Sequence, residues 1–425
     1  MALKNKRALL LCTTMILVAS AIAGNGINSP YSRFGLGLLA DQSLAVNRQM
    51  SGLGYALQDS RYINLVNPAS IARIDTLTML FEAGLSLQNC NFKEGGKKIN
   101  AHNASFDYIA MEFRLHKGLG MSFGFLPYSN VGYSFGNRNT ISGDNLNASS
   151  TNSYNGTGGI YQPYIALGWQ PFNQLSFGVM ASYIYGDITH TVAAVFDDSN
   201  IRSVSRQYKM DISNYKLDFG VQYHHPLKKG HSITFGAVYS LGHDLNADAS
   251  VIEQTIMGGI AESSDTMGIS NSFKLPHTIG LGAIYNIRNN WKFGIDYTFQ
   301  EWSTSDFFGN ETGKGVNRSK ISAGAEYSPN KLYGNIFKTM SYRLGAYYAQ
   351  PYTQINGKNG CDEYGISAGI SVPIINKHNN RSHLHISGQF IHMEPKSTGM
   401  ISENYLRLSI GITFNEGWFT KMKVD

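Results

Sequence analysis

The chain has 425 residues, a formal net charge of +6 and only 15% charged residues, with Gly (45), Tyr (25) and Phe (22) abundant. That mix suits an all-β protein with aromatic surface bands better than a soluble enzyme, and 42% hydrophobic content suffices for a sizeable core. The charge is mild and no basic cluster interleaves with aromatics, which excludes nucleic acid as a partner.

The first element is "MALKNKRALLLCTTMILVASAIAGNG". Lys4, Lys6 and Arg7 precede an apolar run, and Ala21-Ile22-Ala23 supplies small residues at a cleavage position. This predicts a signal peptide over 1–23. The alternative is a membrane anchor, for which the run is short. Removing 1–23 removes three positive charges and no acid, leaving +3.

Residues 24–75 carry no strand pattern, yet Leu36, Leu38, Leu39, Leu53, Tyr55, Ile63, Leu65 and Val66 favour burial. A plug inside a barrel answers this; a short extension packed under the turns is the alternative. Within the segment, Pro68 fixes its own φ and holds Asn67 out of the helical region. Asn67-Pro68-Ala69 is therefore a rigid turn.

From residue 76 onward, apolar residues recur with period two. In "YKLDFGVQYH", Tyr215, Leu217, Phe219, Val221 and Tyr223 alternate with Lys216, Asp218, Gly220, Gln222 and His224. Tyr215 and Tyr223 are eight residues apart, roughly 26 Å along a strand, and with the usual barrel tilt roughly 20 Å of height, close to an outer-membrane apolar band between two aromatic girdles. Fourteen such segments are expected: 76–88, 103–115, 118–135, 159–170, 175–187, 213–224, 231–242, 274–286, 291–301, 316–328, 340–350, 364–374, 382–393 and 404–414. Short links such as "HKG" and "NIRNN" alternate with longer polar loops at 136–158, 188–212 and 243–273. The predicted fold is a 14-stranded antiparallel transmembrane β-barrel over 76–425, preceded by the 24–75 plug. An even strand number puts both termini on the short-turn, periplasmic side of a Gram-negative outer membrane.

The third segment, "KGLGMSFGFLPYSNVGYSFG", holds Pro127, which removes a ladder hydrogen bond, and Gly132 five residues on. Together they predict a bulge or kink, unless Pro127 lies above the bilayer, where a bend costs little. Two loops carry apolar residues: Val195 and Phe196 in one, and Ile252, Ile256 and Met257 in the other, the latter spaced as one helical face. Such exposed patches suggest a capture surface for a hydrophobic ligand; mutual packing is the alternative. Cys90 and Cys361 remain after cleavage, in different loops, and their pairing is open. The twelve histidines are scattered without metal spacing, and no nucleotide motif appears. No catalytic residue, metal or cofactor is expected.

The stretch "GLGYALQDSRYINLVNPASIA" (52–72), with "INSPYSRFGLG", "FLPYSNVGYSF", "YTFQEWS" (297–303) and "YRLGAYYAQPY" (342–352), resembles the FadL-type outer-membrane transporters of hydrophobic compounds, in the branch common in Bacteroidota. The resemblance implies that Asn67-Pro68-Ala69 belongs to an N-terminal hatch. It further implies that a kink near Pro127 and Gly132 opens the wall sideways, that the apolar outer loops capture ligand, and that uptake is passive. Some family members serve instead as scaffold or shuttle subunits of secretion or assembly complexes. The polar inward residues Lys216, Asp218, Lys292, Asp296, Glu326 and Arg343 keep that second role, with an outer-membrane or periplasmic protein partner, open beside the first.

Overall fold

The computed structural model describes residues 26–417, apart from 77, 144–145, 199, 259, 270–272, 289, 308–312, 330–334, 356, 375–381 and 398–399. The expected signal over 1–23 lies outside the described residues, as do Trp418 and Phe419.

Fourteen long strands follow one another: β1 (Thr78–Glu94), β2 (Lys97–His116), β3 (Leu119–Gly143), β4 (Leu146–Phe172), β5 (Leu175–Phe196), β6 (Ser203–Pro226), β7 (His231–Ser240), β8 (Thr278–Ile287), β9 (Trp291–Gln300), β10 (Arg318–Tyr327), β11 (Ser341–Ala349), β12 (Cys361–Pro373), β13 (His383–Pro395) and β14 (Ser402–Gly417). Each pairs antiparallel with its neighbours. β14 closes on β1 from Thr78↔Gly417 to Lys93↔Ser402. Closure is what lets strands cross a membrane, because an open edge would leave backbone groups unbonded in lipid.

The period-two pattern sorts the faces. On β6, Tyr215, Phe219 and Tyr223 point outward while Asp218 is buried inside. On β9, Trp291, Phe293, Ile295 and Tyr297 are exposed, and Asp296 between them is buried.

The long polar loops expected at 136–158, 188–212 and 243–273 are mostly strand. β3 and β4 reach Gly143 and Leu146, and β5 and β6 reach Phe196 and Ser203. A hairpin of Ala247–Met257 and Ile260–Ile269 extends the sheet, pairing with β6 from Ile212↔Ala247 to Ser203↔Ile256. Ile252, Ile256 and Met257 therefore lie on a strand and not on a helical face. Above the apolar band both faces can meet water, so the sequence loses its alternation while the ladder hydrogen bonds continue.

Residues 26–74 lie within the ring of strands. They form only short elements, including the helix α1 (Ala45–Gln49) and a 3₁₀ turn at Pro68–Arg73. Leu44, Ile63, Leu65 and Ile71 pack against wall residues Leu80, Tyr108, Leu126, Ala166 and Met180. Toward the loop end, Leu36 joins Tyr128, Ile160, Ile184, Met210, Trp302, Phe307 and Tyr352 in a second apolar cluster. The segment thus buries Leu36, Leu53, Tyr55, Ile63 and Leu65, while Leu38, Leu39 and Val66 are half-buried. Cys90 and Cys361 are both buried and unpaired with each other.

Candidate functional site

Among the described residues, the wall has a seam between β2 and β3. β2 and β3 pair only from Ile109↔Phe125 to His116↔Leu119, at the turn end. Beyond that, residues 97–108 of β2 pair only with β1, and β3 from Leu126 onward pairs with β4. The register of β3 against β4 shifts between Pro127 and Ser129, so Tyr128 is a bulge residue. Pro127 stands where the β2–β3 ladder ends. It has no N–H to offer, so it cannot donate to a strand on either side.

The N-terminal segment covers the exposed edge of β3. Leu38 and Leu39 pair antiparallel with Asn130 and Ser129. Ala40 N donates to Tyr128 O at 2.9 Å, and Gln42 Nε2 to Pro127 O at 2.8 Å. Ser32 Oγ accepts from Gly132 N at 3.1 Å and donates to Ser29 O at 2.6 Å, with Gly132 O further off at 3.3 Å. Pro127 and Gly132 thus bracket the stretch that the segment caps. Gly37 makes the approach possible: its φ is 88°, and a Cβ there would sit 2.6 Å from Asn130 O.

Asn67 anchors the other end of the segment. Its Oδ1 accepts from Ala69 N at 3.0 Å, capping the 3₁₀ turn that Pro68 starts. Its Nδ2 donates to Tyr55 O at 2.7 Å and Val221 O at 3.1 Å. Gly220 on β6 lets it come close, since a Cβ there would lie 2.1 Å from Asn67 Oδ1.

Between these anchors runs a buried ion network. Asp59 contacts Arg61 at 2.8 Å and Lys292 at 2.9 Å. Lys292 reaches Glu326 at 3.1 Å, and Glu326 reaches Arg343 at 2.6 Å. Arg343 Nη1 returns to the segment through Gln49 Oε1 at 2.8 Å. Burial pushes the Asp59 carboxyl up, but Arg61 and Lys292 outweigh it and hold the group well below the usual carboxylate range. Asp296 Oδ2 accepts from Gly54 N and Tyr55 N at 2.7 and 2.9 Å, and Arg48 meets Asp107 at 2.5 Å. Four of the inward charges picked from the sequence (Lys292, Asp296, Glu326 and Arg343) therefore hold the segment, whereas Lys216 and Asp218 pair with each other.

A cavity of about 570 Å³ lies between the segment and the wall. Its lining includes both sides of the seam: Ser105, Phe106 and Asp107 of β2, and Phe125 to Tyr128 with Asn130 of β3. Leu38, Leu39 and Tyr161 add apolar surface there. Deeper lining includes Arg318, Lys320, Tyr347 and Arg407. Lys320 Nζ sits 4.6 Å from the Tyr347 ring centroid, and Arg407 donates to Gln88 Oε1 at 2.7 and 3.0 Å. Neither Lys320 nor Arg407 has an ion-pair partner among the described residues. The cavity is therefore apolar at the seam and charged with both signs elsewhere, where Asp41, Asp218, Asp296 and Glu363 line it beside Lys216, Arg318, Lys320 and Arg407.

Val195, Phe196, Ile252, Ile256 and Met257 do not line this cavity. The structure brings Phe196 and Ile256 to one rim, joined through Ser203, whose Oγ accepts from Phe196 N at 3.0 Å and which pairs with Ile256. Val195 is exposed there, and Ile252 lies four residues further down its strand. One serine–histidine contact invites comparison with a hydrolase: Ser371 Oγ to His385 Nδ1 at 2.7 Å. It is fully buried, Arg343 donates to the same Ser371 oxygen at 2.5 Å, and His385 Nε2 meets Thr413 and not a carboxylate. The capping role of Ser32, Leu38, Leu39 and Gln42 carried no signal in the sequence, because their partners lie about 85 to 100 residues away.

Solved structures with the same fold include the Pseudomonas putida toluene transporter TodX (TM-score 0.62, 14% identity, covering 90% of this chain and 100% of that one). The CymD monoaromatic hydrocarbon channel is similar at TM-score 0.57 and 12% identity, covering 91% and 100%. A Pseudomonas aeruginosa FadL homologue gives 0.57 and 12%, covering 89% and 99%. At these identities the likeness is one of fold. No curated protein sequence matches. The family model that matches is BamG and not FadL, over residues 5–425. That span is nearly the whole sequence, and the chain belongs to the BamG family.

Proposed function

We propose that this barrel passively takes up hydrophobic small molecules that carry a polar head, of the fatty-acid kind, across the outer membrane. The observation that carries the reading is the cavity that meets the β2–β3 seam, where the wall lacks its own ladder and is closed by Leu38 and Leu39. A tail fits the apolar side formed by Phe106, Phe125, Leu126 and Tyr161, and an anionic head fits Lys320 and Arg407. Burial of the tail drives capture at roughly 25 cal/mol per Å². The lining charges are otherwise balanced by acids, but Lys320 and Arg407 lack an ion-pair partner among the described residues, and an unfunctionalised aromatic compound would leave those two unused, which favours the fatty-acid class. In this reading residues 24–75 are the hatch, Asn67-Pro68-Ala69 is its wall anchor, Val195, Phe196, Ile252, Ile256 and Met257 form the capture rim, and cargo leaves sideways near Pro127. The short turns and both termini face the periplasm, 1–23 is removed on export, and the likeness in 52–72 supports a Bacteroidota origin.

The test is uptake of a long-chain fatty acid by vesicles holding the purified protein, compared with empty vesicles. Equal rates sink the reading.

A second reading keeps the barrel closed. The ion network from Asp59 to Arg343 holds the segment with buried charges, which suits a fixed scaffold, and membership of the BamG family leans the same way. The protein would then be a non-transporting subunit of a secretion or outer-membrane assembly complex. Co-purification of a stoichiometric protein partner, together with no uptake, is the outcome that favours it.

A further inference from the structure

The turn end of the barrel is basic away from β1 and β14, beside which its exposed acids Asp75 and Glu416 lie. Lys117, Lys228, Lys229, Arg288 and Lys338 stand exposed at its rim, and among the described residues none of them pairs with a carboxylate. Three of these charges are gathered by the backbone. Arg288 N donates to Gly230 O at 3.0 Å, so the turns after β6 and β8 touch, bringing Lys228, Lys229 and Arg288 to one spot.

The local backbone makes this concentration less ordinary. Lys229 and Arg288 have φ of 63° and 51°, the left-handed region. Glycine or asparagine is the common occupant there, because a larger side chain is strained. Among the described residues only Ser51 shares that conformation without being glycine. Two of three strained non-glycine positions thus carry positive charge, at the same spot. Strain of this kind tends to mark function.

The spot sits directly beyond an aromatic collar. Ile287 pairs with both His231 and Trp291, which places those three at one level. His231 Nδ1 and Tyr285 Oη are 2.7 Å apart, and Trp291 stacks on Phe293. Aromatic residues of this kind sit at the headgroup level of a bilayer. Basic side chains just past them lay their stems along the apolar surface and reach the phosphates. Anionic lipid surfaces attract such clusters roughly in proportion to their number of charges.

We propose that the paired turns around Lys228, Lys229 and Arg288 form a binding site for the phosphate of an anionic phospholipid in the leaflet at the turn end. The adjoining collar favours a lipid over an acidic protein, because it sets these cations at the level of the lipid headgroups.

The test is native mass spectrometry of the folded chain given equal amounts of phosphatidylglycerol and phosphatidylcholine with identical tails. The wild-type protein should retain phosphatidylglycerol about fivefold over phosphatidylcholine or more. The triple variant Lys228→Glu, Lys229→Glu, Arg288→Glu should fall to parity. Lys93→Glu, Lys97→Glu, Lys98→Glu at the opposite end should keep the preference. Lys228→Gln, Lys229→Gln, Arg288→Gln serves if charge reversal prevents folding, judged by heat-modifiable migration. The preference should survive excess inorganic phosphate; its loss there would indicate a site for the free ion and overturn the lipid assignment. Parity on the wild-type protein, or an unchanged preference in both turn variants, overturns it as well. So does capture of an acidic protein through these residues without any lipid preference.

Discussion

A single hydroxyl, that of Ser32, accepts from the Gly132 N–H at 3.1 Å while its one proton goes to Ser29 O at 2.6 Å, so the side chain ties β3 to the turn that carries it. The side chain does for β3 what a neighbouring strand would otherwise do. Gln42 repeats the device at Pro127 O. Side chains and a two-residue strand are weaker closures than a full ladder, and they stand where β2 has turned away to pair with β1 alone.

Ser32→Ala should loosen this closure. The bond from Gly132 N contributes about 1 kcal/mol, so local opening at Gly132 should become roughly fivefold more frequent. Amide exchange at 128–133 measures it. Exchange no faster than in the wild-type protein would mean that the seam is held elsewhere.

Asn67→Ala should cost about 1–3 kcal/mol, because it leaves the buried carbonyls of Tyr55 and Val221 without their donor. Asn67→Asp should be worse, since it turns a donor into an acceptor facing those carbonyls. Protease accessibility of residues 52–72 reports the loss; protection equal to wild type in both variants would remove Asn67 from the anchor.

Lys292→Met removes the cation that Asp59 and Glu326 share. Breaking a buried pair in this way costs about 3–5 kcal/mol. The barrel should still fold and shift on heating, because strand pairing does not involve this side chain, while single-channel conductance should rise. A variant as tight as wild type would show that the network does not hold the segment.

The network also sets a pH limit. The Asp59 carboxyl is depressed in the folded state. A depressed carboxyl stabilises fully above its unfolded value of about 3.9, and the contribution is lost as pH falls toward the folded value. The segment should therefore stay seated at pH 5 and loosen only in stronger acid. Conductance against pH tests this, and release at mildly acidic pH contradicts it.

Much of the barrel is legible in the sequence, because lipid outside and polar contacts inside impose alternation on each strand. The expected segment at 175–187 and the observed strand Leu175–Phe196 begin at the same residue. They end differently because the lipid constraint stops before the strand does. Pro127 and Gly132 were visible as local anomalies of backbone chemistry. Their partners Gln42 and Ser32 were not, since a serine hydroxyl in "SPYSRF" carries no mark of a contact a hundred residues away. The same holds for Lys320 and Arg407, whose shared cavity arises only once the ring closes.

The most direct test of lateral passage is a reversible lock on the seam. Leu38 and Asn130 are directly paired, and cross-strand partners lie about 4.5–5.5 Å apart at Cα, within disulfide range. The variant Leu38→Cys, Asn130→Cys should fold, and when oxidised it should stop fatty-acid uptake into vesicles, with uptake restored by a reductant. Uptake that proceeds at the same rate with the lock closed would contradict passage through the β2–β3 seam.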